Sequence, residues 1–194
     1  MLHIVQASTV TARVPSKKRR ERKGKEVASN LATSDHVPKR QEIVLAVAGH
    51  LVREGFANSG IRALAESAGI SDRMLMYYFE TKEELIASAL TVMAEGMSAG
   101  LDALLPRRPV AATTIVDAMV QAAALEDQKA VLRLWFEIIG LAIRGQEPYR
   151  STVNRILAQW ELWISDRLRA GQKEQAATVL AQIEGLLMLK LLEG

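Results

Sequence analysis

Few residues in this sequence are arranged for catalysis. The three histidines, His3, His36 and His50, are scattered along the chain. No HExxH, glycine-rich phosphate loop or G-x-S-x-G accompanies them. Cysteine is absent, which excludes disulfides, thiolate metal sites and a cysteine nucleophile together. Side chains with chemistry to offer gather instead between Ser71 and Lys82, in SDRMLMYYFETK. Arg73 presents a planar fork of donors suited to two adjacent acceptors. Asp72 beside it only accepts, Met74 and Met76 offer apolar contact, and Tyr77 adds a ring with a hydroxyl. This is the chemistry of recognition, with no group placed to activate a nucleophile. No cofactor or metal is expected.

Two short helical patterns must position these residues. In SGIRALAESAGISDRMLMYYF, Ser59 is placed to cap the first, and Ile61, Leu64, Ala65 and Ala68 recur at three- and four-residue spacing. Gly69 follows, where a helix commonly ends in a left-handed residue that glycine adopts cheaply. Ser71 caps the second pattern, and Leu75 and Tyr78 carry its inward face. Asp72, Arg73, Met74, Met76 and Tyr77 then face outward. Helices joined so tightly cross steeply, and Ala65 supplies the small residue where they touch. This is the recipe of a helix-turn-helix, whose second helix enters the DNA major groove. The alternative is an ordinary helical hairpin in an all-α core, and spacing alone does not separate the two.

The surrounding sequence does. REGFANSGIRALAESAGISDRMLMYYFETKEELI resembles the DNA-binding segment of TetR-family transcriptional regulators. The match is carried by Gly55-Phe56, Ser59, Ile61, Leu64-Ala65, Ala68-Gly69-Ile70-Ser71, Leu75, Tyr78-Phe79 and Lys82-Glu83-Glu84-Leu85. It spans roughly residues 38–94, about a third of the chain. The resemblance implies an all-α fold, with an N-terminal three-helix DNA-binding domain and a C-terminal helical domain for ligand binding and dimerisation. It implies a homodimer that binds a double-stranded DNA operator and responds to a small apolar or amphipathic ligand. The DNA-binding set so implied is Lys39, Arg40, Ser59, Ser71, Asp72, Arg73, Met74, Met76, Tyr77, Tyr78 and Lys82. Lys39, Arg40 and Lys82 would lie near phosphates, and Arg73 is the candidate for reading guanine. Met76 departs from the family, which usually has Tyr there, and Asp72 brings an acid toward a polyanion.

Charge divides the chain unevenly. Residues 1–37 hold eight Lys/Arg against three Asp/Glu, and the remainder holds seventeen against nineteen. The first segment, with SKKRRERKGKE, reads as a basic arm, disordered in isolation. It either follows DNA or is a solvated tail or a start placed too far upstream. Its mild apolar character precedes its charges, the reverse of a secretory signal, and no apolar run reaches the length of a membrane span. A cytoplasmic protein without a membrane partner is expected. Residues 38–82 are assigned to the DNA-binding domain and residues 83–194 to the effector-binding and dimerisation domain. A helix over 38–54 buries Ile43, Val44, Val47, Ala48 and Leu51. Another runs from Lys82 to about Leu105 after the cap Thr81, and further helices are predicted near 110–125, 127–145, 148–170 and 173–192.

In that second region Met93, Met97, Met119, Leu132, Trp135, Phe136 and Ile139 could line a ligand cavity, since Met adapts to varied shapes. Plain core packing is the alternative. Trp160, Ile164, Ile183 and Leu187 lie on wide apolar faces of the last two helices, with no later segment to cover them. They are expected at a dimer interface, or else over the core. Gly185 in mid-helix implies a close helix crossing. The function that follows is a homodimeric repressor released by a small molecule. A DNA-binding regulator without an effector, constitutive or partner-controlled, stands beside it, and an enzyme is disfavoured. Deleting residues 1–33 is expected to lower affinity alike for all DNA sequences and to flatten the dependence on salt. Titrations at several salt concentrations measure the slope, and an unchanged slope would remove the arm from DNA.

Overall fold

The stripe Ile43, Val44, Val47, Ala48 and Leu51 is buried, and it makes residues 39–54 the first helix, α1, of a computed structural model that describes residues 39–193. The basic arm at residues 1–37, and Pro38, lie outside the described residues. Gly55 stops α1 at φ 76°, a left-handed conformation that costs glycine little, and its N–H donates to Leu51 O at 3.0 Å. A 3₁₀ turn at Phe56–Asn58 leads to α2 (Ile61–Ser67) and α3 (Asp72–Tyr78). Between them Gly69 takes φ 66°, while its N–H donates to Glu66 O at 3.1 Å and Ile70 N–H donates to Ala65 O at 3.1 Å. That pair of bonds is the Schellman closure of a helix end. Its tightness sets the angle at which α3 leaves.

The longest helix, α4 (Lys82–Leu104), starts where Thr81 Oγ1 accepts from Glu84 N at 3.0 Å, with Glu83 and Glu84 in its first turn favouring the positive end of the helix dipole. Then follow α5 (Ala112–Ala122), α6 (Glu126–Ile143), α7 (Tyr149–Arg167) and α8 (Ala176–Glu193). The expected helix at 173–192 begins later, because Ala170–Gln175 forms a 3₁₀ connector with no buried residue. The all-α expectation holds. Among the described residues the one strand-like feature is an isolated bridge, with Val110 N–H donating to Arg167 O at 2.8 Å and Arg169 N–H to Val110 O at 3.1 Å.

α7 packs against α4, α6 and α8, and α5 packs against α4 and α8. This arrangement overturns one expectation. Trp160, Ile164, Ile183 and Leu187 are all buried within the chain itself, because other helices cover the faces that carry them. The exposed apolar side chains of α8 are instead Leu186, Met188, Leu189 and Leu192. Gly185 is not at a close crossing within the chain, since nothing lies within 4 Å of where its Cβ would stand. The segment Ala170–Glu193 is also, by length and composition, apolar enough to cross a membrane, with a mean hydropathy of 1.3 over an 18-residue window, which corrects the expectation of no such run. Its apolar residues divide between the core side, with Ala176, Val179, Leu180, Ile183 and Leu187, and the outer stripe.

Phe79, which ends α3, is 2 % exposed and lies at the centre of the N-terminal packing. Phe79→Ala is expected to lower the free energy of unfolding by about 3–5 kcal/mol. Urea denaturation checks this, and a loss below about 1 kcal/mol would mean that the ring does not hold α3 in place.

Candidate functional site

On α3 the cap forms as the sequence requires. Ser71 Oγ accepts from Met74 N at 3.2 Å. With Leu75 buried, Asp72, Arg73, Met74, Met76 and Tyr77 are all exposed on one short helix. Tyr77 is the most open of its large apolar groups at 68 %, and its ring stands edge-on to Tyr78 at 5.5 Å. Tyr78 itself is half-buried against the core. Arg73 and Asp72 form no ion pair with each other or with any other described residue, so the guanidinium fork faces outward. Two methionines flank it without competing for acceptors. The face can donate two parallel hydrogen bonds and make apolar contact on either side.

Other expected contacts fall elsewhere. Ser59 is 2 % exposed and its hydroxyl donates to Phe56 O at 2.6 Å, so it cannot reach a nucleic acid. Nor does it cap α2, whose N-cap is Gly60. Arg40 is engaged internally: its guanidinium pairs with Glu84 at 2.9 Å and lies over the Phe79 ring, 4.4 Å from its centre. Its first task is to hold α1 to α4. Lys39 is exposed at the start of α1. Lys82 lies 5.9 Å from the centre of the Phe56 ring and 4.0 Å from Glu83 Oε1, at the positive end of α4.

Beyond α3 the chain encloses apolar space. A cavity of about 630 Å³ is bordered by α1, α4, α5, α6 and Leu187 of α8, with Arg53 and Gln128 among its few polar neighbours. A smaller compartment of about 40 Å³ adjoins it, and Met93, Met97, Met119 and Leu132 line both. Trp135 lines the inner compartment. Phe136 and Ile139 do not; they pack half-buried against the core. Trp160 and Leu187, expected at a dimer interface, line the inner compartment as well. So does Glu184, which the sequence reading missed. Trp135 Nε1 donates to Glu184 Oε2 at 3.0 Å. Burial pushes the Glu184 carboxyl above the usual carboxylate range, while the indole bond pulls the other way. The available signal was its spacing: Leu180, Glu184 and Leu187 share one face of α8, and an acid on an apolar face needs a reason.

Residues 45–89, from within α1 to the first turns of α4, match the family described as bacterial regulatory proteins, tetR family. Over this segment the chain carries the DNA-binding region of TetR-family regulators. The similarity extends past the matched segment. The chain is 21 % identical over 167 residues to the HTH-type transcriptional regulator PksA of Bacillus subtilis (strain 168), covering 82 % of each. The fold is shared with the transcriptional regulator SCO7518 of Streptomyces coelicolor A3(2), at TM-score 0.62 and 24 % identity, over 77 % of this chain and 85 % of that one. It is shared likewise with the regulator RHA1_ro04179 of Rhodococcus sp. Rha1, at TM-score 0.63 and 22 % identity, over 78 % and 83 %. This is a DNA-binding transcriptional regulator, and α2 and α3 are its helix-turn-helix.

Arg73 and Lys82 should therefore differ in kind. Arg73→Ala is expected to cost roughly 1–3 kcal/mol on the preferred site and to relax choice at one base pair per half-site. Lys82→Ala is expected to weaken binding evenly, because a phosphate contact carries no base information. Affinities on the best site and on its single-base variants separate the two. A uniform loss in Arg73→Ala would make Arg73 a backbone contact.

Proposed function

We propose that this TetR-family regulator is a cytoplasmic homodimeric repressor that occupies a double-stranded DNA operator until a small apolar or amphipathic ligand enters its cavity. The observation that carries this reading is the course of α4. Its first residue, Lys82, adjoins the helix-turn-helix, and three to four turns on Met93 and Met97 line the cavity. A ligand that fits one tilt of α4 better than another biases the position of α3 by that difference in affinity, and by no more. Residues 38–82 then read DNA and residues 83–194 bind ligand and pair. Lys39 and Lys82 serve phosphates, and Asp72, Arg73, Met74, Met76 and Tyr77 meet base edges. Repression needs no further activity, since a bound dimer blocks the promoter by occupancy. A library screened by thermal shift tests the effector: compounds that raise the midpoint bind the native state. They must also release the operator, and binders that leave it bound would overturn the release mechanism.

Pairing is assigned to the outer stripe of α8. Gly185, Met188, Leu189 and Leu192 recur at three- and four-residue spacing and face away from the core, with Leu189 53 % and Leu192 77 % exposed. On α7, which packs against α8, Leu162 is exposed as well. A two-fold axis through such a stripe sets it against its own copy, and Gly185 then admits a close approach that nothing in the single chain uses. Leu189→Arg is expected to give monomer and to weaken operator binding by at least tenfold. Sedimentation velocity checks the first part, and a stable, fully binding dimer would exclude the outer stripe as the interface.

A further inference from the structure

Among the described residues Glu184 is the one charged side chain lining the inner compartment, beside Met93, Met97, Trp135, Trp160 and Leu187. Its carboxylate has one protein donor, and its other oxygen is not sealed from solvent. Trp135 Nε1 holds Oε2 at 3.0 Å, while no described residue donates to Oε1. A carboxylate in apolar surroundings is costly without a partner, and removal from water strengthens its attraction for whatever cation reaches it. The space beside it, about 40 Å³, has the size of one small polar group rather than a ligand body. The adjoining cavity of about 630 Å³ has room for such a body. Met93, Met97 and Met119 border both spaces, together with Val131, Leu132 and Leu187, and are the most adaptable side chains of that shared border.

We propose that the effector is a lipophilic cation: an ammonium-type head enters the inner compartment against Glu184, and its apolar body fills the outer cavity. This rests on the ligand-responsive reading above and names the chemistry of that same site. Trp135 and Trp160 line the same compartment, and indole rings attract a cation through their quadrupoles. An anionic head would meet the Glu184 carboxylate, and a neutral apolar head would displace solvent from Oε1 without offering a donor in its place. Trp135 positions the carboxylate by fixing one oxygen, which leaves the other for the ligand.

Octylammonium, 1-octanol and octanoate share one chain and differ in the charge of the head, so they serve as probes on the full-length protein. Binding is read by thermal shift and by quenching of tryptophan fluorescence. Octylammonium is expected to bind on the order of 10- to 100-fold tighter than octanol, with octanoate weakest. Glu184→Gln is expected to remove that preference while octanol binding stays. Glu184→Leu, which needs no polar partner at all, is expected to place octanol ahead of octylammonium. Octanoate binding as well as octylammonium, or the preference surviving in either variant, would overturn the charge assignment alone. If none of the three binds at millimolar concentration, the cavity takes no apolar guest, and the effector reading falls with this one.

Discussion

Glu84 fixes the geometry on which the rest depends. One of its oxygens receives the Arg40 guanidinium at 2.9 Å, and the other accepts the Glu80 N–H at 2.8 Å. Its own N–H is held by Thr81 Oγ1 at 3.0 Å. One side chain thereby joins α1, the turn after α3 and the first turn of α4. The pair is half-exposed, so in stability it is worth at most about 1 kcal/mol. The energy comes from burial beneath it, with Leu64, Leu75, Phe79, Leu85 and Ile86 almost fully enclosed and each contributing about 1.5–3 kcal/mol. Burial has no direction, whereas the ion pair and its stacked Phe79 ring do. Together they determine where α3 points.

From that junction α4 runs 23 residues, about 35 Å at 1.5 Å per residue. A second strut stands beside it. Tyr149, at the start of α7, is buried with its ring edge-on to Phe56 at 5.7 Å. Burial and the nearby Glu83 charge push its hydroxyl up to about 12, so it stays neutral at any physiological pH. The helix-turn-helix is therefore braced on α4 and on α7, and α4 and α7 both reach the inner compartment, through Met93 and Met97 and through Trp160. Under the proposed function, two braces ending at one cavity would give a ligand there a physical route to the reading helix.

The helix-turn-helix was legible because its signals are local. Gly69 must be left-handed, Ser71 must cap, and Leu75 must face in, and each is decided within a turn or two of chain. Arg40 was less legible, since a basic residue near a DNA-binding segment reads as a phosphate contact until Glu84, 44 residues later, is seen beside it. Ser59 misled for a similar reason: its hydroxyl turns back to Phe56 O instead of forward into α2. The last helix was harder still. It is apolar on both sides, and periodicity finds two stripes, Ile183 with Leu187 and Met188 with Leu189 and Leu192, without saying which meets the core. Only packing by α5, α6 and α7 decides that. The same packing turns Glu184 inward, where a lone acid on α8 otherwise looks like part of a solvated surface.

Selection of bound duplexes from random DNA tests most directly whether two copies of α3 read one symmetric site. The enriched sequences are expected to form an inverted repeat, with half-site centres one helical turn or a multiple of it apart, roughly 34–36 Å per turn. Enrichment of a single unrepeated half-site, or of no sequence at all, would contradict a dimer whose specificity resides in α3.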